Sequence, residues 1–301
     1  MSQTKIAYYP GCTLKTAAKN FETSALAVAA ALDIALVELP RWNCCGTVHS
    51  LADDNLINHV APVRNLLRVK QMVRDKLVTD EHRLVAPCSM CYNTLKRAHL
   101  RMEENPEDLQ KINDFMYLEE DDYDLNVEVI HLLDLLKDID EKTIREKVVR
   151  PLNGLKVMPY YGCMLLRPKE VGIDDPEDPD LQENLLAALG AEPIDSPYRK
   201  VCCGSYLTVD NKDAVVDLSY KILSHAQKSG AEALTTSCPL CAFNLDNRQK
   251  EIKEKYPTFK NMPVFYFTQL MAVAFGLPDD CYGFELNYNK PEPLLKEKQL
   301  C

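Results

Sequence analysis

Short apolar runs and longer amphipathic stretches alternate along the chain. The apolar runs Lys5–Tyr9 and Lys156–Tyr160 predict buried strands. The amphipathic stretches Glu22–Leu32 and Asp180–Leu189 predict the helix that follows each of them, and Gly190 is typical of a helix C-terminus. Strands that alternate with helices form parallel βαβ layers, so the pattern predicts an α/β fold.

The same alternation continues through both halves of the chain. Pro151 and Gly154 interrupt it near Arg150–Gly154, which predicts two domains, residues 1–150 and 151–301. Further predicted elements are extended segments at Ala35–Leu39 and around Pro193–Ile194, helices at about Arg64–Lys76 and Asp213–Ser229, and strands at Arg83–Ala86 and Ala233–Thr236.

Cysteine spacing shows that the chain is duplicated. Ten of the twelve cysteines occur in the order C…CCG…CxxC, once in each half. The first set is Cys12, Cys44, Cys45, Cys88 and Cys91, and the second is Cys163, Cys202, Cys203, Cys238 and Cys241. The two remaining cysteines, Cys281 and Cys301, lie outside the repeat and are interpreted as ordinary free thiols.

Flanking residues repeat as well. The segment Ile6–Cys12 resembles Val157–Cys163. After the CxxC motif, Tyr92–Leu95 matches Phe243–Leu245 with an offset of one residue. Further along, the apolar runs Val127–Ile130 and Val264–Phe267 align, which pairs His131 with Thr268. Several matches in the same order indicate a common ancestral half.

Composition narrows the class of protein. The 301 residues are 46% hydrophobic and carry a net charge of −10, which argues against a nucleic-acid partner because such binders rely on basic patches. No run of about 18 apolar residues occurs, so we expect no membrane-spanning helix. Met1–Pro10 lacks the apolar core of a signal peptide, and we expect a cytoplasmic protein, free to dock on a membrane-bound partner.

The cysteine pattern is typical of metal binding in a cytosolic chain. Thiolates suit iron–sulfur clusters, zinc and copper(I). Adjacent cysteines such as Cys44 and Cys45 rarely aim both side chains at one tetrahedral ion, and five cysteines exceed the four of a structural zinc site. A multi-iron cluster fits best. Two zinc sites with spare thiols, and a metal-free dithiol protein, remain alternatives.

Two copies of C…CCG…CxxC at these spacings resemble the CCG-domain family that includes the B subunits of heterodisulfide reductase. Type E succinate:quinone reductases and the iron–sulfur subunits of glycolate and lactate oxidation share such domains. So do the B-type subunits of sulfur-oxidising complexes. The resemblance covers nearly the whole chain. It implies two Rossmann-like CCG domains related by a pseudo-twofold axis.

The resemblance also implies two noncubane [4Fe-4S] clusters, each held by one set of five cysteines. In this interpretation the chain is the catalytic subunit of a heterodisulfide-reductase-type complex, and a disulfide is cleaved or formed between the two clusters. The substrate would be the coenzyme M–coenzyme B heterodisulfide, or a bacterial disulfide or sulfur carrier. The alternative is an electron-relay subunit of a quinone-linked dehydrogenase.

The sequence and the resemblance also lead to expectations about partner subunits and a proton donor. No GxGxxG motif follows a predicted strand, so flavin and nicotinamide must belong to another subunit. The resemblance implies a C-type subunit with cubane [4Fe-4S] clusters and a flavin-containing A-type subunit. His49, just past the first CCG, is a candidate proton donor because its unperturbed pKa is near neutrality. His131 is interpreted as structural.

Three segments lie outside the repeat pattern. The acidic insertions Glu103–Leu125 and Gly172–Asp180 are predicted to be solvated loops, with a docking surface as the functional alternative. The polar tail after Cys281 is expected to be loosely ordered. Trp42 and the tyrosine pairs beside Cys12 and Cys163 are expected to line the core or a cavity.

Overall fold

The computed structural model describes residues 3–47 and 55–300. Within them, eight strands form two parallel sheets of four strands each. The first sheet contains β1 (Thr4–Tyr8), β2 (Ile34–Glu38), β3 (Arg83–Ala86) and β4 (Glu128–His131). The second contains β5 (Lys156–Tyr160), β6 (Glu192–Pro193), β7 (Ala233–Thr236) and β8 (Val264–Tyr266).

The two sheets have the same topology. Their strand orders are β2-β1-β3-β4 and β6-β5-β7-β8, and every pair of neighbours is parallel. The sequence prediction of an α/β fold with two similar halves is confirmed. Apolar residues fill the strands because helices cover them, as is usual for parallel sheets.

Helices connect the strands. In the first half they are α1 (Gly11–Leu14), α2 (Lys19–Ala31), α3 (Val60–Arg74), α4 (Ser89–Glu104), α5 (Pro106–Phe115), α6 (Leu132–Lys137) and α7 (Glu141–Lys147). In the second half they are α8 (Leu181–Ala188), α9 (Lys212–Lys228), α10 (Pro239–Ala242), α11 (Gln249–Lys255), α12 (Phe267–Ala274) and α13 (Glu292–Glu297). A π-helical turn, Phe243–Asn247, follows α10 directly. None of the helices in the described part of the chain is long and apolar enough to cross a membrane.

The strand register corrects one alignment between the halves. Ala86 of β3 pairs with His131, and Thr236 of β7 pairs with Tyr266. Both His131 and Tyr266 end a strand and precede a helix. His131 therefore corresponds to Tyr266, and its predicted pairing with Thr268 was wrong by two residues. The apolar runs on either side look alike at both registers, which misled the alignment.

The first acidic insertion is not a plain solvated loop. Its N-terminal part forms α5, and its acidic run lies against the basic face of α3. Glu119 pairs with the nearly buried Arg68 and also contacts Arg64, while Asp121 pairs with Arg74 at 2.6 Å. The negative charges that suggested a docking surface form ion pairs within the molecule.

The C-terminal tail is ordered, contrary to expectation. Asn287 is 5% exposed, and its side chain bonds Asn20 of the first half as well as Gln269 and the Val264 carbonyl of the second. Leu300 is fully buried. The tail therefore joins the two halves, a long-range contact that its polar composition did not reveal.

Candidate metal centres and the junction between them

Each cysteine set lies at the carboxyl edge of its own sheet. In the first half, Cys12 follows β1, Cys44 and Cys45 follow β2, and Cys88 follows β3. Parallel strands bring their carboxyl ends to one edge, where open α/β sheets place ligand sites. The second half repeats this arrangement after β5, β6 and β7.

The sulfurs of the first set are neighbours. The Cys45 and Cys91 sulfurs are 3.5 Å apart, and those of Cys12 and Cys44 are 3.9 Å apart. Cys45 and Cys91 are buried, whereas Cys12 and Cys44 are exposed. Hydrogen bonds from the Cys44 and Cys91 thiols lower the pKa of Cys45.

The second set has the same arrangement and is more enclosed. The Cys203 and Cys241 sulfurs are 3.4 Å apart, and the Cys163 thiol hydrogen-bonds to Cys202. That bond, together with the Gly204 backbone N–H at 3.3 Å from the Cys202 sulfur, lowers the pKa of Cys202 to about 6. A thiol with this pKa is largely the thiolate, the form that binds metals.

The two sets meet at the first cysteine of each CxxC motif. The Cys88 and Cys238 thiols lie close together, and the interaction with Cys238 is the main cause that lowers the pKa of Cys88. Beside them, the Ser89 and Ser237 hydroxyls are 2.7 Å apart. Cys88 and Cys238 are equivalent residues of the two halves, so their contact supports the predicted pseudo-twofold relation.

Glycines beside the cysteines have left-handed backbone conformations. Gly11 has φ of +70°, and a Cβ there would lie 2.9 Å from the Cys91 sulfur. Gly204 has φ of +78° and directs its N–H at Cys202. Any other residue would be strained at these φ values, and at Gly11 its side chain would also displace a sulfur.

The donor set fits a multi-iron cluster better than a single ion. All ten thiols are free rather than paired in disulfides. Each set supplies five cysteines, one more than the four that close a structural zinc site. A structural zinc site needs four donors around one point, whereas a cluster spreads its thiolates over several irons.

The structure differs in what it shows of the other residues that the sequence singled out. His49 lies outside the described residues, and its role as proton donor stays a prediction. His131 is fully buried, accepts the Leu133 N–H and bonds the Pro87 carbonyl, so its structural interpretation holds. Burial lowers its pKa to about 3. Trp42 is half-buried and contacts the ring of Tyr9 edge-on.

Sequence reasoning missed Tyr206. This exposed residue lies three positions after Cys203, and its hydroxyl is 4.0 Å from the sulfur of Met90, inside the CxxC motif of the other half. Tyr206 lies near both cysteine sets because the two halves contact each other, and no local sequence pattern encodes that contact. An aromatic residue soon after the CCG motif was the available signal.

A cavity of about 200 Å³ also escaped prediction. Thr13, which follows Cys12, lines one side, and Pro239 and Leu240, which separate Cys238 from Cys241, line another. Tyr266 lines it as well, and the tail segment Leu286–Tyr288 forms part of its wall. The cavity therefore touches residues adjacent to ligands from both cysteine sets.

Comparison with known protein families agrees with this duplicated arrangement. The cysteine-rich domain family called CCG matches residues 6–96 and again 157–246. The chain belongs to the CCG family. The two matched regions each contain one complete set of five cysteines.

Three relatives illustrate the range of CCG proteins. The 8-methylmenaquinol:fumarate reductase membrane anchor subunit of Wolinella succinogenes is 33% identical over 95% of this chain and 97% of its own length. The B subunit of ferredoxin:CoB-CoM heterodisulfide reductase from Methanosarcina mazei is 27% identical over 94% and 93%. A protein of Archaeoglobus profundus that is named as similar to heterodisulfide reductase B subunits is 26% identical over 90% and 91%.

One solved structure shares the fold. A crystal structure of a hypothetical protein from Helicobacter pylori superposes with a TM-score of 0.74 at 13% identity and covers 95% of this chain. The chain spans about half of that protein, 52% of its length. At this identity the likeness establishes the fold alone.

Proposed function

We propose that this CCG protein is a heterodisulfide-reductase-like iron–sulfur subunit that passes electrons between two adjacent clusters. The observation that carries the proposal is the hydrogen bonding of Ser89 to Ser237, the residues that follow Cys88 and precede Cys238, which brings the two five-cysteine sets together. Redox centres in contact can act jointly in a two-electron reaction. Relatives at 26–27% identity over most of their length support the assignment to this class.

The residues that would hold the clusters follow from the two sets. Cys12, Cys44, Cys45, Cys88 and Cys91 would hold one [4Fe-4S] cluster of the noncubane type, and Cys163, Cys202, Cys203, Cys238 and Cys241 the other. When bound, the clusters supply one-electron carriers. The chain contributes thiolates, and the Gly204 N–H is a hydrogen-bond donor beside Cys202 that would tune the potential there.

The first candidate substrate is a disulfide or its thiols, as in the heterodisulfide reductases. Disulfide reduction needs two electrons and two protons, and two adjacent centres suit that requirement. Because Cys12 and Cys44 are exposed, the first site is open on one side. Tyr206, which follows Cys203 of the second set, reaches the sulfur of Met90 in the first half. We propose His49 as a proton donor for the departing thiolates.

The second candidate is electron transfer in a quinol-linked fumarate reductase. The higher identity of the Wolinella succinogenes protein, 33% over nearly the full length of both chains, favours it. In this case the clusters relay electrons and cleave no disulfide. The apolar cavity beside the junction also suits this candidate better, because none of the described residues that line it is a cation that could bind a charged thiol substrate.

Both candidates imply a multi-subunit complex. We propose a partner with cubane [4Fe-4S] clusters and, in the disulfide-reducing form, a further flavin-containing subunit. In the quinol-linked form the assembly would be peripheral to the membrane on its cytoplasmic side. The acidic surface of the chain, with a net charge of −10, makes a nucleic-acid role unsuitable.

The first experiment is iron and acid-labile sulfide analysis of anaerobically purified protein, followed by EPR. Roughly eight irons per chain are expected if both sets hold a four-iron cluster. A new paramagnetic signal on adding a thiol substrate would support the disulfide candidate. Cluster oxidation by a quinone without a thiol response would support the quinol-linked candidate.

One result would reject both candidates. If the purified chain holds about two zinc ions and no iron, the cysteines form structural sites and only the fold assignment survives. Reconstitution with iron and sulfide under argon serves as the control against loss of clusters during purification.

A further inference from the structure

One buried tyrosine differs from all the others. The hydroxyls of the other buried tyrosines each have a partner, for example Tyr92 with the Val171 carbonyl at 2.7 Å and Tyr160 with the Val201 carbonyl at 2.6 Å. Tyr266 is 5% exposed, and its hydroxyl makes no hydrogen bond within the described part of the chain but is not fully enclosed. A tyrosine hydroxyl this deep normally bonds a protein group or water, so this one is available to donate to a molecule that enters the adjoining cavity.

The unpartnered residue lines the cavity of about 200 Å³ between the halves. The ring of Tyr266 stacks on Phe21 of the first half, with centroids 4.3 Å apart and planes within 2° of parallel. This stacking fixes the ring. The cavity is small beside the roughly 300–1,000 Å³ of pockets for drug-sized ligands, so it admits a single ring system rather than an extended chain.

The surroundings of this cavity differ from those of its counterpart in the first half. One residue after the CxxC motif, the first half has Tyr92 and the second has Ala242. Tyr92 packs edge-on against His131, the counterpart of Tyr266, and lines a cavity with charged residues such as Lys96 and Asp134. In the second half Ala242 and Phe243 line the cavity in front of Tyr266, and a tyrosine in place of Ala242 would occupy part of it.

The charges around the cavity restrict the ligand. No lysine, arginine or histidine among the described residues lines it, and Asp246 does. Asp246 is 4% exposed, accepts the Tyr288 and Asn289 backbone N–H groups, and has its pKa raised to about 6 by burial. A sulfonate, phosphate or carboxylate would have no counter-ion here and would lie beside a carboxyl group.

We propose that this cavity binds a neutral quinone-class ring and that the Tyr266 hydroxyl donates a hydrogen bond to a ring carbonyl. A quinone is flat and largely apolar and carries oxygens that accept hydrogen bonds, as the apolar walls and orphan donor require. Pro239 and Leu240 place the ring next to the ligands of the second cluster. The proposal rests on the quinol-linked candidate and names its binding site.

The test measures binding of 2-methyl-1,4-naphthoquinone to the oxidised, iron-loaded full-length chain by titration calorimetry. Wild type should bind one equivalent saturably. Ala242→Tyr, which restores the tyrosine of the other half, should weaken binding at least tenfold. Tyr266→Phe should weaken it several-fold at unchanged iron content, because only the donor is lost.

Matched controls separate the site from general effects. Tyr117→Phe removes a hydroxyl from a residue that is 78% exposed, and Ala187→Tyr adds bulk on the exposed face of α8. Both should bind the quinone as wild type does. Thermal melting of each variant identifies any that fails to fold, and Tyr266→Phe keeps the test decisive if Ala242→Tyr unfolds.

The outcomes distinguish this proposal from the function on which it rests. Saturable binding that Ala242→Tyr does not weaken, or no binding to a chain with full iron, overturns the site while leaving the iron–sulfur function intact. Displacement of the quinone by 2-mercaptoethanesulfonate also overturns it, since an anion should not enter. A chain without iron refutes the function, whereas quinone binding then still reports on the cavity.

Discussion

The two halves of this CCG protein share topology and cysteine order but differ in the space beside their CxxC motifs. In the first half Tyr92 contacts His131, bonds the Val171 carbonyl and lines a cavity with charged residues such as Lys96 and Asp134. The second half has Ala242 and Tyr266 beside a cavity that no lysine or arginine among the described residues lines. Duplication therefore preserved the cysteine order, whereas the neighbouring positions diverged in charge and size.

This difference suggests a division of labour. The first site has the more exposed cysteines, Cys12 and Cys44, whereas the second site adjoins the apolar cavity. In the proposed function, electrons would enter at one site and meet a ligand at the other, through the junction at Ser89 and Ser237. Four predictions test how independent and how different the halves are.

The largest effect is expected from the junction cysteines. Cys88→Ser and Cys238→Ser should each lose about four of roughly eight irons, because each removes a thiolate from one set only. Iron and sulfide analysis with EPR measures this, and Cys281→Ser, outside both sets, should keep full iron content. Loss of all iron in either variant would show that the two centres form one unit.

Exchanging the tyrosine and alanine should have unequal costs. Tyr92→Ala should lower the free energy of unfolding by about 3–5 kcal/mol, because it empties a fully packed position. Ala242→Tyr should change it by about 1 kcal/mol or less, since the space already exists. Urea unfolding measures both, and equal costs would mean that the surroundings of Ala242 cannot accommodate a tyrosine side chain.

The loss of stability at acidic pH should depend on His131. Burial lowers its pKa to about 3, so the folded state keeps it neutral while the unfolded chain protonates below about 6.5. Falling pH therefore destabilises wild type between these values. His131→Asn does not titrate, and its stability deficit relative to wild type should shrink by about 2 kcal/mol from pH 6.5 to pH 5.

The comparison must be made against the variant because another group opposes His131. Burial raises the pKa of Asp246 to about 6, so its contribution is present at low pH and lost as the pH rises from about 4 to 6. Asp246 is present in both proteins, so its contribution cancels when the unfolding free energy of the variant is subtracted from that of wild type at each pH. A deficit that stays constant with pH would show that His131 does not titrate as its burial requires.

The smallest effect separates the two tyrosine hydroxyls. Tyr92→Phe breaks the 2.7 Å bond to the Val171 carbonyl and should cost about 1 kcal/mol or slightly more. Tyr266→Phe removes a hydroxyl without a partner among the described residues and should change stability by about 0.3 kcal/mol or less. Unfolding free energies of the apo chains decide this, and equal losses would indicate that Tyr266 has a protein partner.

Much of the site could be predicted from spacing. The strands ending near Cys12 and Cys163 and the helices after them lie where the apolar periodicity indicated, within a few residues. Ten cysteines were assigned to two sets, and sulfurs within each set are neighbours. Local patterns carry this information because strand, turn and ligand are close together in the chain.

Alignment of the halves away from the cysteines was less accurate. The His131–Thr268 pairing was wrong by two residues. The side-chain contacts after the CxxC motif align the two halves without the one-residue offset. Thr94 and Asn244, each three residues past its CxxC motif, both contact their own CCG loop, Thr94 through Thr47 and Asn244 through the Cys203 carbonyl. Apolar segments repeat too regularly to fix a register without hydrogen bonds.

The sequence alone determined the duplicated α/β architecture and the two five-cysteine sets. These depend on local periodicity and on residue types with special chemistry. The tertiary structure decided that Cys88 meets Cys238, that Tyr206 reaches Met90, and that a cavity opens at Tyr266. These features join residues more than 100 positions apart, and their contacts arise only when the two halves dock.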